Sequence, residues 1–183
     1  MANTSAPKGH TPPSAGTKIV LLGFIVVWSA LQIVVPLRHL LYPGSPSWTE
    51  EGHRFAWQMK LRDKKGWAKF HVRDPASGQE WEVSPRTFLV RHQARKVVTR
   101  PDMILQFAHH LARVWEEERH IKGVEIRAEV CVSLNGRPGA VLIDPNRDLA
   151  RVKRSLRHAD WILPLEQPFE RPPDKRRRRD IRC

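Results

Sequence analysis

The sequence predicts an α+β fold, with a single N-terminal transmembrane helix followed by a mostly antiparallel β-sheet domain that carries two or three helices. Residues 19–35 hold no charged side chain, which is typical of a membrane-spanning helix. Residues 103–115 repeat apolar side chains at helical spacing, and residues 124–134 alternate apolar and polar side chains as a strand does. The order of strands, then helices, then strands favours one sheet with helices packed on one face.

Four segments follow one another along the chain. They are a disordered leader at 1–17, a transmembrane helix at 18–42, a globular domain at 43–165 and a basic disordered tail at 166–183. The leader is rich in Pro and Gly, which interrupt any periodic pattern. The globular segment has a usual length for one domain.

The apolar segment meets the demands of a bilayer. At about 1.5 Å per residue, residues 19–35 make roughly 26 Å of helix, and the residues up to Tyr42 extend it toward the roughly 30 Å hydrocarbon core. Pro36 is compatible with a kinked membrane helix. A buried core helix and a cleavable signal peptide are the alternatives, but no small-x-small cleavage site follows, so an uncleaved anchor is favoured. Ser29 and Gln32 suit contact with another helix.

The first half of the domain is predicted to be a β-meander. A strand at 55–63 is expected to pass through a turn at 63–66 into a second strand at 67–72. A turn at 74–78 then leads to a third, shorter strand at 79–83. These three strands would form the opening part of the sheet.

Two helices and a hairpin are predicted next. The first helix covers 88–98, and a longer one runs from residue 99 with its apolar repeat ending at Trp115. The strand at 124–134 is followed by Asn-Gly, a strong hairpin signal, and by a returning strand at 140–143. Residues 148–156 are expected to form a helical turn.

Charge points to an anionic partner without identifying it. The net charge is +13, and residues 171–183 contribute seven basic and two acidic side chains, concentrated at 175–179. A solvated tail, a tail lying on anionic lipid and a tail binding nucleic acid are all open interpretations. We expect a membrane as partner, and nucleic acid is the less favoured one.

Two cysteines do not make a disulfide framework. Cys131 lies in an apolar, strand-like run, and Cys183 is the last residue of the sequence. A disulfide between them would have to tie the tail to the core. We do not expect it to form.

Strong catalytic, cofactor and metal-binding motifs are absent from the sequence, and we expect no metal site. Glu51 and His53 are interpreted either as part of an acid–base cluster or as turn caps that face solvent. Arg137, at the hairpin tip, suits a substrate contact or a solvated turn equally. Asp144 and Asp148 could bind a cation, although Asp beside Pro is commonly a turn former. The full set of candidate binding or structural residues is Trp48, Glu51, His53, Trp57, Asn135, Arg137, Asp144 and Asp148.

The order and spacing of several short segments resemble one family. These segments are Tyr42-Pro43-Gly44, Trp48 to Trp57, Pro101-Asp102-Met103, Val132 to Arg137, Asp144-Pro145 with Asp148-Leu149, and Trp161 with Pro164-Leu165. Together they resemble the part of vitamin K-dependent gamma-carboxylases, and of their bacterial HTTM-domain relatives, that follows the last membrane helix. The resemblance runs from about residue 34 to residue 165.

The resemblance implies that this chain corresponds to only one part of the family enzymes. Family enzymes couple the oxygenation of reduced vitamin K to proton abstraction from glutamate side chains, which then capture carbon dioxide. That chemistry lies largely in a multi-helix membrane half, so no catalytic residue is carried over to this chain, and no cofactor is expected for this chain alone. The matching region is lumenal in the eukaryotic family, which implies an amino terminus inside and the domain outside, in the periplasm if the source is bacterial.

Three functions follow as expectations. The first is a membrane-anchored, extracytoplasmic binding or interaction module that is noncatalytic alone and pairs with a separately encoded multi-helix membrane protein. The second is one part of a split gamma-glutamyl carboxylase-like lyase, which acts on protein glutamate with reduced vitamin K, oxygen and carbon dioxide. The third is binding of an anionic surface or a nucleic acid through the basic tail.

Overall fold

The structure is a computed structural model that describes residues 14–54, 56, 62–166, 181 and 183. The elements in chain order are α1 (Ala15–Leu37), a 3₁₀ turn (Arg38–Leu41), α2 (Pro46–Thr49), β1 (Lys64–Arg73), β2 (Glu80–Val83), a 3₁₀ turn (Pro85–Thr87), α3 (Arg91–Val97), α4 (Pro101–Glu118), β3 (Glu125–Leu134) and β4 (Ala140–Val141). The fold is α+β, with an apolar N-terminal helix, an antiparallel sheet and further helices, which confirms the fold class that the sequence predicts.

Helix α1 stands apart from the domain. The Ser14 hydroxyl accepts a hydrogen bond from the Thr17 amide and caps the amino-terminal end. Pro36 is the one buried residue of the helix, and the other side chains are mostly exposed. Together with the following 3₁₀ turn it forms a 27-residue segment that is long and apolar enough to cross a membrane.

The sheet has four strands in the order β2-β1-β3-β4, and every pairing is antiparallel. β1 and β3 pair along their whole length, from Lys64 opposite Leu134 to Arg73 opposite Glu125. Because side chains alternate along a strand, one face of β1 and β3 is buried throughout. The buried side chains of this face are Ala68, Phe70, Val72, Ile126, Ala128, Val130, Val132 and Leu134.

Helix α4 covers that face. Its buried residues after Pro101 follow the helical spacing that the sequence predicts, and they are Ile104, Leu105, Phe107, Ala108, Leu111, Val114 and Trp115. The Phe107 ring meets the Phe70 ring edge to face with centroids 4.9 Å apart, which joins the helix to β1. Burying one such side chain contributes about 1.5–3 kcal/mol, so this layer stabilises the domain.

The prediction of a turn at 63–66 is wrong, because β1 starts at Lys64 and pairs with β3 from its first residue. Gly66 has the role of a close-approach residue: a Cβ on it would lie 2.4 Å from the Cys131 carbonyl oxygen. The strand predicted at 55–63 lies almost entirely outside the described residues. The predicted short strand at 79–83 is confirmed as β2, antiparallel to β1.

Residues 148–156 do not form the predicted helical turn beyond one tight turn at 149–150. Their backbone is held by the edge of β3 instead of by its own helical hydrogen bonds. The Leu149 amide donates to the Ile126 carbonyl at 2.7 Å. One carboxylate oxygen of Asp148 accepts from the amides of Ile126 and Ala150, each at 3.0 Å. Burial of Leu149 completes this attachment.

Two other elements are shorter than predicted. α3 begins at Arg91, because the residues from Pro85 to Thr87 form a 3₁₀ turn that precedes it. β4 ends at Val141, although the next residues continue along the sheet edge. The Leu142 amide donates to the Val130 carbonyl, and Ile143 forms an isolated bridge with Ile162.

The expectation of no disulfide is also wrong. Cys131 and Cys183 are disulfide-bonded, with their Cα atoms 5.8 Å apart. Cys131 lies on the face of β3 opposite to the helices, which is the face that the end of the chain reaches. Its cross-strand neighbour Trp67 donates from Nε1 to the Ile181 carbonyl at 3.0 Å. Ile181 and Cys183 therefore lie on the outer face of the sheet.

Candidate functional site

A cleft of about 520 Å³ lies at the domain end of the apolar helix. Its walls come from the segment 38–54 that follows α1, from the amino-terminal end of α4, and from residues 151–162. We call residues 151–158, with the sequence Arg-Val-Lys-Arg-Ser-Leu-Arg-His, the basic loop. The lining includes Arg38 and Tyr42, which follow α1 directly, so the cleft lies next to the carboxyl-terminal end of α1.

Two carbonyl contacts fix the path of the basic loop. His109, on α4, donates from Nε2 to the Val152 carbonyl at 2.9 Å. The Tyr42 hydroxyl donates to the Leu156 carbonyl. Because these donors lie on different elements, the loop is held between α4 and the end of the apolar helix.

Glu51 closes the far end of the loop. Its carboxylate accepts a hydrogen bond from the Ala159 amide at 2.7 Å and another from His158 Nδ1 at 2.9 Å. The Glu51 side chain is mostly buried, while the His158 ring remains exposed. Glu51 thus serves as the acceptor that ties residues 158–159 to the segment after α2.

Both ring nitrogens of His53 have partners. Nδ1 donates to the Glu50 carbonyl at 2.7 Å, and Arg62 donates to Nε2 at 2.9 Å. The tautomer with its proton on Nδ1 satisfies both contacts. In this arrangement His53 is a fixed part of the cleft wall and does not present a free base to the cleft.

A charged cluster lies behind His53. The Glu50 carboxylate is 3.2 Å from Lys64 Nζ, 3.5 Å from Arg62 and 4.0 Å from Arg100. Lys64 also donates to the carbonyls of Trp48 and Thr99. Burial lowers the pKa of Lys64 from 10.5 to about 8, against the opposing effect of Glu50. This cluster joins the start of β1 to the segment after α2.

The rim of the cleft is strongly positive. Arg151 is paired with Asp148 at 3.1 Å. The charged groups of Lys153, Arg154 and Arg157 form no ion pair or hydrogen bond with any other described residue, and all three side chains are exposed. The arrangement therefore presents three free cations in five residues beside the end of α1. Such a rim attracts anionic groups.

Of the sequence-predicted candidates, Glu51 and His53 line this cleft, and the five other described ones do not. Trp48 is fully buried in the core, and its Nε1 donates to the Leu163 carbonyl at 2.8 Å. Asn135 exchanges two hydrogen bonds with the backbone of residue 63, through its side-chain oxygen and its own amide. Arg137 lies on the β3–β4 hairpin, where its amide donates to the Leu134 carbonyl. Trp57 lies outside the described residues.

The two candidate aspartates both act in turns. Asp144 Oδ1 accepts from the Asn146 amide at 2.9 Å, and Asp148 holds the turn beside β3 as described above. Within the described part of the chain, no group of three His, Cys, Asp or Glu side chains is arranged to hold a metal ion. Ligand binding by any of these candidates stays a prediction.

Sequence reasoning missed most of the cleft. The sequence places Tyr42 at the helix end and residues 148–156 in a helical turn, which does not predict the contact between Tyr42 and Leu156. One signal was available: residues 151–158 hold four Arg and Lys side chains without apolar periodicity. That pattern indicates an exposed, charged loop.

The chain matches the model of a known protein family. A family model described as the vitamin K-dependent gamma-carboxylase lumenal domain matches residues 17–168, which is more than half of the chain. The matched range includes α1 from its third residue, the whole sheet and the basic loop. No curated protein and no solved structure matches this chain significantly.

Proposed function

The chain belongs to the vitamin K-dependent gamma-carboxylase lumenal-domain family, and from this premise we propose that it is an extracytoplasmic binding module that is noncatalytic by itself. The apolar helix together with the family indicates a single-pass membrane protein. In the proposal, α1 anchors the domain beside a separately encoded multi-helix membrane protein. The cleft at the foot of α1 then faces that partner.

The observation that carries the pairing lies in α1. Ser29, Gln32 and Pro36 are spaced by three and four residues, so they share one face of the helix. The Gln32 side chain makes no hydrogen bond with another described residue, and an unpaired amide is costly in hydrocarbon. A polar group on a neighbouring membrane helix would satisfy it.

The noncatalytic part of the proposal rests on the chemistry of the cleft. A quinol ring needs an apolar pocket, and a strong base needs a site without water. The cleft is instead lined by many charged side chains and is continuous with an exposed, charged rim. Glu51 and His53, its two sequence-predicted members, already have internal partners. This charged lining supports the proposal that the chain alone holds no reduced vitamin K.

The outside location of the domain is supported by the Cys131–Cys183 disulfide, because such bonds persist in oxidising compartments. Intact cells would be treated with a membrane-permeant maleimide, lysed, reduced, and labelled with a heavy thiol tag. We expect two tags per chain after reduction and none when reduction is omitted. Thiols that are already blocked by the maleimide would contradict the extracytoplasmic location.

Catalysis is tested by carbon dioxide fixation that depends on reduced quinone. The full chain alone, a candidate multi-helix membrane partner alone, and the two co-expressed would each be given a glutamate peptide and labelled bicarbonate. We expect no fixation by the chain alone. Fixation by the chain alone would refute the noncatalytic role, whereas fixation only by the pair would establish a split carboxylase.

The pairing has its own test in the same co-expression. Gln32→Leu removes the amide but keeps the apolar length of α1, and we expect it to reduce recovery of the partner with the tagged chain. Val34→Leu, about half a turn away, is the matched control. Equal recovery with both variants would remove Gln32 from the interface.

A further inference from the structure

We propose that the basic loop is a second membrane contact, which lies on an anionic lipid surface with Leu156 in the acyl boundary and Lys153, Arg154 and Arg157 on headgroup phosphates. This contact concerns the chain alone and does not require the partner of the preceding proposal. It also differs from lipid binding by residues 175–179, which lie outside the described residues.

The position of the loop is set by Tyr42. This residue directly follows the apolar segment Ala15–Leu41, and its hydroxyl holds the Leu156 carbonyl. Tyrosine is enriched at the membrane–water interface, where its ring and hydroxyl meet both phases. Because Leu156 is hydrogen-bonded to a residue at that level, the loop lies at the same depth as the end of α1.

The apolar side chains at this level are unusually exposed. Leu156 is 85% exposed and Leu41 is 84% exposed, and Leu40 is nearly as open. A single exposed leucine needs no explanation. Here, however, the Leu156 carbonyl is hydrogen-bonded to Tyr42, which directly follows Leu40 and Leu41, so all three exposed leucines lie near the end of a membrane-length helix.

Charge selects the occupant of this surface. Arg154 and Arg157 flank Leu156 at two residues before it and one residue after it, and Lys153 precedes them. None of the three cations is paired with a described residue, so their charges are available. A leucine among free cations matches a lipid interface, where apolar tips enter the acyl region and Lys or Arg contact anionic headgroups. An acidic peptide would use the cations but leave Leu156 in water.

The full chain would be placed in nanodiscs of phosphatidylcholine, with or without 30% phosphatidylglycerol, and amide exchange of residues 153–157 would be followed by mass spectrometry. We expect slower exchange in the anionic nanodiscs, with the difference decreasing as salt increases. Each cation replaced by Gln should weaken docking about fivefold, so Lys153→Gln/Arg154→Gln/Arg157→Gln should remove the difference. Leu156→Ser should weaken docking about tenfold while leaving the charge unchanged.

The matched control removes the same charge elsewhere. Arg86→Gln/Arg91→Gln/Arg95→Gln changes three exposed cations of the 3₁₀ turn and α3, outside the cleft lining, and should leave the lipid effect intact. Equal exchange in both kinds of nanodisc at low salt would overturn the proposal. Protection by added polyglutamate, without protection by phosphatidylglycerol, would also overturn it and would assign the loop to an acidic protein partner. If the control variant lost as much exchange protection as the triple loop variant, the protection would depend only on net charge. That result would refute a local contact of the basic loop with lipid.

Discussion

The buried pair of Lys64 and Glu50 should make the stability of the folded domain depend on pH. Their side chains are only 4% and 6% exposed, and the pair joins β1 to the segment behind the cleft. Burial lowers the pKa of Lys64 from 10.5 to about 8 in the folded state. The folded state therefore releases this proton earlier than the unfolded chain does, as pH rises.

The sign follows from proton binding. Between pH 8 and 10.5 the unfolded chain keeps the proton on Lys64 while the folded chain loses it, so the free energy of unfolding rises with pH in this window. At about 1.36 kcal/mol for each unit of pKa difference, the rise amounts to roughly 3 kcal/mol. Below about pH 8 the folded and unfolded states both hold the proton on Lys64, so this group causes no change of the free energy of unfolding with pH there.

The two halves of the pair differ in what their removal leaves behind. Lys64→Met leaves the Glu50 carboxylate near Arg62 and Arg100, whereas Glu50→Gln leaves a buried ammonium without a carboxylate. Breaking a buried pair costs about 3–5 kcal/mol when the remaining charge has no partner. We therefore expect Glu50→Gln to cost about 3 kcal/mol at pH 7 and Lys64→Met clearly less. The double variant should be more stable than the sum of the single losses predicts.

Denaturant unfolding of the full chain in detergent micelles, followed by tryptophan fluorescence from pH 7 to 10.5, would measure these values. Both cysteines are in the disulfide, so no free thiol complicates the alkaline range. The rise in stability between pH 8 and 10.5 should disappear in Lys64→Met. An equal rise in the wild-type chain and in this variant would refute the assignment to Lys64.

Three further predictions concern the fold, each measured as a change in the free energy of unfolding in the same micelles. Cys183→Ser removes the disulfide that spans 52 residues and, relative to the oxidised wild-type chain, should cost about 4 kcal/mol by loop-closure entropy. The variant should be as stable as the reduced wild-type chain, and a lower stability than that would contradict this entropic account. Gly66→Ala places a Cβ against the Cys131 carbonyl and should cost about 3 kcal/mol. The control Gly23→Ala on α1 meets no neighbour and should leave stability unchanged or raise it by up to about 1 kcal/mol. An equal loss in both variants would reject the close approach. Asp148→Ala removes the acceptor of two amide hydrogen bonds and should cost about 3 kcal/mol, and Asp148→Asn, which keeps the oxygen, should cost less than half as much.

Periodicity made parts of this fold predictable and left others hidden. α4 and β3 each show many repeats of one spacing, so their limits and buried faces follow closely from the sequence. β1 was cut short in the prediction because Lys64-Lys65-Gly66 resembles a turn, and only the partner strand explains that glycine as a close approach. Local patterns do not contain the partner of a residue that is distant in sequence.

The same limit applies to the candidate site. The sequence identified Glu51 and His53 as notable, since charged residues cluster after the apolar helix. Glu51, for example, has a partner from a distant segment of the folded chain, because its carboxylate accepts a hydrogen bond from the Ala159 amide. The disulfide was missed for a related reason: the outer-face position of Cys131 follows from the alternation of β3, but the return of the chain end to that position does not.

The covalent link between Cys131 and Cys183 changes what proteolysis can do to this molecule. Any single backbone cut between residues 132 and 182 leaves both fragments joined until a reductant opens the bond. A protease that recognises the run of arginines at 176–179 would therefore nick the chain without shedding its last residues. Mass spectrometry would find the nicked chain at its full mass plus one water before reduction, and as a shortened chain and a short peptide after it.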